Sequence, residues 1–401
     1  MPVPDRPDVA RRLIARVITR LNIGGPSIQA TRLTTALAAH GFSTRLLHGR
    51  LGEGEGDMSY LLAADADAVF VDTLCRPLSP VNDLRTLWRL YRELRRWQPH
   101  SVHTHMAKAG LLGRLAAAAY NLTRGSAPRA RVVHTYHGHV LDGYFRPFMT
   151  KVFIGLERLL ARLSDVIIAI SPAIRADLLR TYRIGKESQY RVVPLGFDLA
   201  PFAAVDAKAR DDARRTLDVP PGAPVISTVG RLTAIKQHHL FLEVIARLAP
   251  THPGIIALIA GDGELRAELE GQAARLGLTS QVRFLGWRRD LATIYAATDV
   301  FALTSRNEGT PVALIEAMAS GVPGVSTDVG GVPTVIADPG MGVRVALDDE
   351  PAFAAAVLRL LDRPEDAAAM AARGRAHVMA HFDRGRLIDD IDRLYRQLLA
   401  G

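Results

Sequence analysis

Short apolar runs alternate with helical segments along nearly the whole chain, and the runs fall into two series. A β/α alternation of this kind builds parallel sheets whose strands are joined by crossover helices. We therefore predict an α/β protein with one sheet in each half of the chain. The runs interpreted as buried strands are Ala15–Ile18, Ala68–Asp72, Ser101–His103, Arg131–Thr135 and Val166–Ile170 in the first half, and Val225–Val229, Ile255–Ile259, Val282–Leu285, Val300–Leu303 and Gly324–Ser326 in the second.

The stretch between the two series marks a domain boundary. The sequence VPLGFD at residues 193–198 closes the first series, and PPG at residues 220–222 forms a turn before the second. A chain of 401 residues usually makes two domains. We place the hinge near Gly196, which gives domains at residues 1–196 and 197–384. The remaining segment, 385–401, has apolar residues at helical spacing and is predicted to form an amphipathic helix.

Composition narrows the class of protein. The single cysteine, Cys75, rules out an intrachain disulfide framework and fits a reducing cytoplasm. No signal-type apolar stretch opens the chain, and no run reaches the roughly 18 apolar residues of a membrane span, so we expect a cytoplasmic protein. The net charge of +9 suits nucleic acid, an anionic membrane surface or anionic substrates, and it does not distinguish among them.

Two glutamates, Glu308 and Glu316, lie in one strand, loop and helix unit with seven residues between them. Gly309 separates Glu308 from Thr310 and Pro311, which we interpret as a hydroxyl N-cap and the first helical residue. Glu308 is then at the mouth of the helix and Glu316 about a turn and a half inside it. The helix N-terminus between them can hold a diphosphate on its free N–H groups, with one carboxylate reaching hydroxyls on each side.

Two cations follow the first strand of the second half. Arg231 and Lys236 come directly after the run at residues 225–229, in the sequence VGRLTAIKQ. A guanidinium fork and an ammonium group at the carboxyl end of a strand can clamp a pyrophosphate. The alternative is that both are solvated loop residues.

Paired glycines, Gly24 and Gly25, follow the first strand, which we read as RVITRLN. Glycine lets the backbone approach a ligand closely, and open α/β sheets bind ligands at the carboxyl ends of their strands. Pro26 and Ser27 are expected to open a helix. The alternative is a simple tight turn.

Histidines gather at two strand ends in the first half. His137 lies in HTYHGHV, just beyond the predicted strand at residues 131–135. Imidazole is a common metal ligand, but neither strand end supplies a carboxylate or cysteine to complete a metal site. The other polar residues at these two strand ends are His103, His105, Lys108, His134 and His139.

Taken together, the ordered strings resemble glycosyltransferase family 4. They cover nearly the whole chain: RVITRLNIGGPSIQATRL, HTYHGHV, SDVIIAIS, VVPLGFDLAPF, VGRLTAIKQ, IALIAGDGELR, RFLGWRRDLATIYAATDVF, FALTSRNEGTPVALIEAM and GVSTDVGGVPTVI.

The resemblance implies the GT-B fold, in which two Rossmann-like domains with parallel sheets face one another and the C-terminal helix crosses back to the first domain. It also implies a retaining transfer from a nucleotide-diphosphate sugar, here expected to be UDP-linked. The expected acceptor is a saccharide or a polyprenyl-linked sugar in cell-surface polysaccharide synthesis.

The same resemblance assigns roles to individual residues. Arg231 and Lys236 match the family's diphosphate-binding pair, Glu316 is expected on the ribose, and Glu308 on the hydroxyls of the transferred sugar. His137 matches the histidine near the reacting sugar. Neither glutamate is expected to act as a nucleophile, so the resemblance implies a front-face substitution in which the leaving phosphate oxygen takes the acceptor proton.

No metal and no cofactor other than the donor substrate are predicted. A metal-dependent transferase would need a carboxylate pair such as D-x-D in a loop at the donor site. That spacing occurs here at Asp65 and Asp67, ahead of a strand, and at Asp390 and Asp392, in the last helix. Neither place suits a donor site.

Three other functions compete with this one. A sugar-nucleotide 2-epimerase shares the scaffold but needs acid and base carboxylates and no acceptor. A non-catalytic membrane- or nucleic-acid-binding module explains the charge but not the ordered motifs, and we expect no nucleic-acid partner. An NAD-dependent oxidoreductase is disfavoured because Arg266 replaces the third glycine of the G-x-G-x-x-G pattern that begins at Gly261.

One basic helix is a candidate membrane contact. The segment Leu84–Trp97 places Leu84, Leu87, Trp88, Tyr91 and Leu94 at helical spacing, with arginines beside them. Such a helix can lie on an anionic bilayer and bring the enzyme to a lipid-linked acceptor at the inner face of the plasma membrane. The alternative is an ordinary helix that packs its apolar stripe on the first sheet.

Overall fold

The computed structural model describes residues 11–138 and 147–400. The chain divides into two compact units. The first comprises Met1–Phe197 together with Gly385–Gly401, and the second comprises Asp198–Arg384. The chain thus leaves the first unit after Phe197 and returns to it at Gly385. The divisions predicted from the sequence lie at residues 196 and 385.

The first unit contains a seven-stranded sheet in which neighbouring strands pair in parallel. The spatial order β3-β2-β1-β4-β5-β6-β7 places β1 and β4 side by side, at the point where the strand order reverses. Open α/β sheets bind ligands at such a switch point, beyond the carboxyl ends of the strands. The strands are β1 Arg12–Ile18, β2 Phe42–His48, β3 Ala68–Phe70, β4 Ser101–His105, β5 Arg131–Tyr136, β6 Val166–Ala169 and β7 Tyr190–Val192.

Helices cover both faces of this sheet. One apolar cluster joins Ala15 and Val102 to Leu90 and Leu94, and another joins Ile14 to Leu33 on the opposite face. Successive residues of β1 therefore pack into different cores, because the side chains of a strand point alternately to opposite faces of the sheet. The helices of the first unit are α1 Gly25–Ala36, α2 Pro80–Trp97, α3 Ala107–Thr123, α4 Pro147–Ala161, α5 Pro172–Ala176 and, after the second unit, α15 Arg384–Ala400.

The last helix packs on the first sheet. Leu387, Ile391 and Tyr395 of α15 are buried against Ile14 and Phe42. Their spacing of four residues brings them onto one face of the helix, so the apolar stripe read from the sequence is the face that is buried. The predicted return of the C-terminal helix to the first unit is confirmed.

The second unit is a smaller version of the same plan. Its six-stranded sheet has the order β10-β9-β8-β11-β12-β13, again with parallel pairings. The strand order reverses between β8 and β11. The strands are β8 Val225–Val229, β9 Ile256–Ala260, β10 Val282–Gly286, β11 Val300–Leu303, β12 Gly324–Thr327 and β13 Val343–Val345. The helices are α6 Ala200–Ala203, α7 Ala207–Thr216, α8 His238–Leu248, α9 Arg266–Arg275, α10 Leu291–Ala297, α11 Val312–Ala319, α12 Val332–Val335, α13 Glu350–Asp362 and α14 Pro364–Phe382.

Three strands were missed in the sequence. β2 has polar residues at its centre and alternates buried with half-buried positions, so it does not read as an apolar run. β7 and β13 are only three residues long, lie at sheet edges, and present exposed Arg191 and Arg344. Every predicted strand overlaps an observed one, and the α/β architecture with a parallel sheet in each half is confirmed.

Only part of the apolar stripe that the sequence predicts for helix α2 is buried. Leu94 is buried and Leu87 and Tyr91 are half-buried, but Leu84 is 68% exposed and Trp88 is 60% exposed. Packing on the sheet therefore accounts for only part of the stripe. Within residues 11–138 and 147–400, no helix has the length and apolar character needed to cross a bilayer.

Candidate active site

In the second unit, Glu308 and Lys236 form an ion pair. Glu308 follows β11 and is buried, with 7% of the residue exposed. Its Oε1 accepts hydrogen bonds from Lys236 Nζ at 2.5 Å and from Ser305 Oγ at 2.6 Å. Thr304 Oγ1 donates to the carbonyl of Lys236 at 3.1 Å and so ties the two loops together. Two residues predicted for the site are thus in direct contact, and one oxygen of the carboxylate is already held.

Arg231 is placed by the backbone around it. The arginine is exposed, and its carbonyl oxygen lies 3.2 Å from Nε2 of the buried His238, the first residue of α8. Burial lowers the pKa of His238 to about 4, so its ring is neutral and donates to that carbonyl. In the described chain the Arg231 guanidinium has no ion-pair partner. It is free to bind an anion.

Two glycines next to this loop pack against protein backbone. A Cβ at Gly261 would lie 1.9 Å from the carbonyl oxygen of Gly230, and one at Gly263 would lie 2.5 Å from that of Leu232. Only glycine permits this approach. The motif that begins like a dinucleotide fingerprint therefore supports the loop that carries Arg231.

Sequence reasoning missed a second pair of glycines, which supports Glu308. Gly331 N donates to the carbonyl of Glu308 at 2.8 Å. A Cβ at Gly330 would lie 2.0 Å from that oxygen, and one at Gly331 would lie 2.0 Å from the carbonyl oxygen of Gly309. The string GVSTDVGGVPTVI contained the signal, because adjacent glycines after a predicted strand indicate close backbone approach.

The start of the helix differs from the prediction. Helix α11 begins at Val312, Pro311 is its N-cap, and no side chain caps it. Thr310 is therefore not the N-cap: its carbonyl accepts from Val312 N at 2.9 Å, which closes a tight turn before the helix. Gly309 and Thr310 lie in the half-buried segment between Glu308 and the helix.

Glu316 has a different environment from Glu308. It lies inside α11 with a half-buried side chain, and Tyr295 Oη donates to its Oε2 at 3.1 Å. Burial raises the pKa of Glu316 to about 7, against the opposing effect of the Tyr295 hydrogen bond. Glu316 forms no hydrogen bond or ion pair with Arg231, Lys236 or Glu308, and its pKa of about 7 lies near neutral pH.

In the first unit, the glycine pair lies farther from the strand than predicted. β1 ends at Ile18, so a connection from Thr19 to Ile23 precedes Gly24. Gly24 is the N-cap of α1 with φ at 151°, where a side chain would be strained, and a Cβ at Gly25 would lie 2.8 Å from Leu195 Cδ1. Pro26 and Ser27 fall in the first turn of α1, as expected.

The histidines at the carboxyl ends of β4 and β5 form a buried cluster. His105 Nδ1 lies 2.9 Å from His137 Nε2, and Arg16 Nη1 lies 3.3 Å from His103 Nδ1 and 3.4 Å from His105 Nε2. Burial lowers the pKa of His137 to about 3 and the pKa values of His103 and His105 well below their usual range. Tyr395 of α15 joins the cluster, with its hydroxyl 2.6 Å from His103 Nδ1.

The other candidates in this unit have structural partners. Lys108 pairs with Asp83 of α2 at 2.5 Å. His134, also buried, lies with Nδ1 2.8 Å from Thr104 Oγ1. His139 lies outside the described residues. Among residues 11–138 and 147–400, no three His, Cys, Asp or Glu side chains are grouped so that they could hold a metal.

Comparisons with known proteins match both units. The family model described as Glycosyltransferase Family 4 matches residues 23–201, and the model described as Glycosyl transferases group 1 matches residues 209–377. The chain is 29% identical to the UDP-Gal:alpha-D-GlcNAc-diphosphoundecaprenol alpha-1,3-galactosyltransferase of Escherichia coli, over 85% of this chain and 86% of that protein. It is 32% identical to a D-inositol 3-phosphate glycosyltransferase of Corynebacterium urealyticum, over 74% of this chain and 71% of the relative.

Solved structures show the same fold. Anabaena HepE in complex with UDP superimposes with a TM-score of 0.80 and 20% identity, over 96% of this chain and 99% of that one. A sucrose-phosphate synthase of Thermosynechococcus elongatus superimposes with a TM-score of 0.77 and 25% identity, over 97% and 100%. The predicted GT-B fold class is confirmed.

Proposed function

This chain belongs to glycosyltransferase family 4, and we propose that it transfers a sugar from a UDP-sugar to a polyprenyl-linked saccharide in cell-surface polysaccharide synthesis. The observation that supports the proposal best is the ion pair between Lys236 and Glu308. Arg231, whose guanidinium is unpaired in the described chain, lies on the same loop as Lys236. The Escherichia coli relative is named for a UDP-sugar donor and a diphosphoundecaprenol-linked acceptor, which supports both substrate classes.

The two cations are proposed to bind the diphosphate. When the bond between the anomeric carbon and the phosphate oxygen breaks, negative charge develops on the leaving UDP. Arg231 can bind two phosphate oxygens with its planar fork, and Lys236 adds a point charge. Preorganised cations of this kind stabilise the developing charge without a metal.

Glu308 is proposed to orient the transferred sugar. Because Lys236 and Ser305 occupy its Oε1, the carboxylate is fixed in position, and its Oε2 has no donor among the described residues. That oxygen is free to accept a hydrogen bond from a sugar hydroxyl. A carboxylate held by an ammonium group is a poor nucleophile and a poor general base, so we infer that it does not form a glycosyl intermediate.

We propose that this arrangement transfers the sugar with retention of its anomeric configuration. The acceptor hydroxyl oxygen forms a bond to the anomeric carbon on the face from which UDP leaves, and its proton passes to the leaving phosphate oxygen. One carbon–oxygen bond forms and one breaks, so neither an oxidant nor a covalent enzyme intermediate is needed. Glu316 is proposed to bind the ribose hydroxyls of the donor.

The function is tested by incubating the protein with a panel of nucleotide sugars and a polyprenyl-diphosphate sugar acceptor. We expect transfer from a UDP-sugar, slow hydrolysis without acceptor, and a product with the donor's anomeric configuration by NMR. Epimerisation of the donor without transfer would support the epimerase instead, and an inverted product would contradict the retaining mechanism.

A membrane surface is the proposed site of the acceptor. Helix α2 and the residue preceding its N-cap expose four apolar side chains, and three neighbouring arginines have no ion-pair partner in the described chain. A basic helix with exposed apolar groups binds anionic bilayers through both interactions. The apolar residues are Leu78, Val81, Leu84 and Trp88, and the arginines are Arg85, Arg92 and Arg96.

Co-sedimentation with vesicles that contain anionic lipid tests this surface. Changing Arg85, Arg92 and Arg96 to glutamate should abolish binding at low salt. The matched control changes Lys208, Arg275 and Arg359 of the second unit, which are exposed, to glutamate, so the net charge falls equally. Equal binding of both variants would show that overall charge, not α2, attracts the bilayer. Absence of wild-type binding would contradict the membrane proposal.

A further inference from the structure

Arg16 is the centre of the buried cluster in the first unit. It lies on β1 and is fully buried, next to His103 on β4 in the strand register. Its Nη1 contacts one nitrogen of His103 and one of His105, while Nε and Nη2 have no hydrogen-bond partner in the described chain. Among the residues that the structure describes, the guanidinium therefore faces imidazole rings and the Tyr395 hydroxyl and forms no ion pair with a carboxylate.

This arrangement determines which ring nitrogens carry protons. A guanidinium can only donate hydrogen bonds. His105 Nε2 must therefore accept from Arg16, and the proton of this neutral ring is on Nδ1. His105 Nδ1 in turn lies 2.9 Å from His137 Nε2 and donates to it. The reverse orientation would point an N–H of His105 at the N–H of Arg16.

His137 is the last ring in this series of hydrogen bonds. Its Nε2 accepts from His105, so the proton of its neutral ring is on Nδ1. That nitrogen is buried and contacts no acceptor in the described part of the protein. A buried donor without a partner is costly, which indicates that a ligand oxygen or an ordered water completes it.

We propose that Arg16 and His105 are positioning residues that hold His137 in its Nδ1–H tautomer, so that His137 offers a hydrogen-bond donor to a hydroxyl or phosphate oxygen of a bound substrate. The use of this donor in sugar transfer rests on the proposed function, whereas the tautomer does not.

The tautomer also excludes one role for His137. A general base needs a free lone pair directed at the proton that it takes. The lone pair of Nε2 is occupied by His105, and Nδ1 already carries a proton. His137 therefore binds and orients but removes no proton, which agrees with the proposed transfer of the acceptor proton to the leaving phosphate oxygen.

Long-range proton–nitrogen NMR of protein labelled with nitrogen-15 in histidine tests the proposal without substrate. The His137 signals are assigned by their loss in His137→Gln. We expect a protonated Nδ1 and an unprotonated Nε2 in the wild type. A protonated Nε2, or equal populations of both tautomers, would overturn the proposal. Only the assignment uses a substituted cluster residue, and the tautomer itself is read from the wild type.

Two variants separate positioning from packing. His105→Phe keeps a ring in place but removes the donor, so His137 should lose its Nδ1–H preference and kcat should fall about tenfold, the effect of one hydrogen bond. Tyr395→Phe is the matched control, because it removes the hydroxyl that bonds His103 and Arg16 but leaves the contacts of His105 with Arg16 and His137 intact. A His137 tautomer that survives His105→Phe, or is lost in Tyr395→Phe, would overturn the assignment.

The spectrum and the transfer assay fail independently. The spectrum is recorded without donor or acceptor, so a wrong tautomer would leave the proposed glycosyltransferase activity standing. Absence of transfer with every donor would leave the tautomer standing and remove only its proposed use.

Discussion

The candidate site of the second unit is made of charges, whereas the histidine cluster of the first unit is made of neutral rings around one buried cation. Lys236 and Glu308 form an ion pair beside the exposed Arg231. His103 and His105 are instead fully buried, and burial lowers their pKa values well below the usual range. We therefore propose that one region binds through charge and the other through the direction of its hydrogen bonds.

This difference fits the two kinds of chemical group that a sugar transfer must hold. A diphosphate carries charge and is strongly hydrated, so cations near solvent can bind it without the cost of burying an unpaired ion. A hydroxyl is neutral and is recognised by a donor or acceptor of fixed orientation. We expect changes in the second unit to act through charge and pH, and changes in the first unit to act through orientation.

Loss of Lys236 is the strongest test of the charged site. In Lys236→Ala the leaving diphosphate loses a cation and Glu308 loses its partner, so kcat should fall about 100-fold to 1,000-fold. The control, Lys208→Ala, removes an exposed lysine from the same unit and should leave kcat unchanged. Normal turnover and UDP affinity in both Lys236→Ala and Arg231→Ala would contradict the charge-based site.

Substitution of Gly331, which packs against the loop of Glu308, is expected to have the next largest effect. In Gly331→Ala the new Cβ would lie 2.0 Å from a carbonyl oxygen, so the backbone must shift. We expect the free energy of unfolding to fall by about 1–3 kcal/mol and the KM for donor to rise. Gly254→Ala, where a Cβ meets nothing within 4 Å, is the control for denaturant unfolding. Equal stability of the two variants would show that the loop does not need this approach.

Glu316 is expected to make donor binding depend on pH. Its pKa of about 7 means that the ionised carboxylate, the better acceptor for ribose hydroxyls, forms as pH rises through neutrality. The kcat/KM for donor should therefore increase through pH 7 in the wild type. In Glu316→Gln it should be flat and about tenfold lower at alkaline pH. A wild-type profile without this rise would remove Glu316 from the donor site.

The same pKa has an opposite effect on stability. Burial on folding raises the pKa of Glu316 from 4.5 to about 7, so between these pH values the folded protein binds more protons than the unfolded chain. The contribution of Glu316 to the free energy of unfolding is full below pH 4.5 and is lost as pH rises to about 7. Chemical denaturation of wild type and Glu316→Gln across this range separates the contribution.

The strands that the sequence predicts best are the buried ones. β8 and β11 match their predicted ranges because both are almost wholly buried inside a parallel sheet and carry only apolar or small hydroxyl side chains. β2 was not predicted because its half-buried positions carry polar residues. β13 was not predicted because an edge strand of three residues is too short to show a pattern. Local periodicity therefore finds the centre of a sheet more readily than its margins.

The contacts within the sites could not be read in the same way. Glu308 and Lys236 were each selected, but their ion pair depends on two loops 72 residues apart meeting beyond neighbouring strands. Arg16 was not selected, because an arginine in a strand reads as an exposed residue until the register places it beside His103. The sequence also misplaced the helix start, since a threonine before a proline resembles a cap whether or not its side chain bonds.

Chelation is expected to have the smallest effect, and it tests whether side chains alone supply the positive charge. The two D-x-D pairs are engaged elsewhere: Asp67 pairs with Arg45, and Asp392 pairs with Arg396 on α15. With Arg231 and Lys236 on the diphosphate, exhaustive removal of divalent ions should change the rate of transfer by less than about twofold. Rates are measured with and without chelator, then after adding back magnesium or manganese. A large loss that either ion restores would mean that a metal shares the role assigned here to the two cations, and the contrast between the two units would need that ion as a third component.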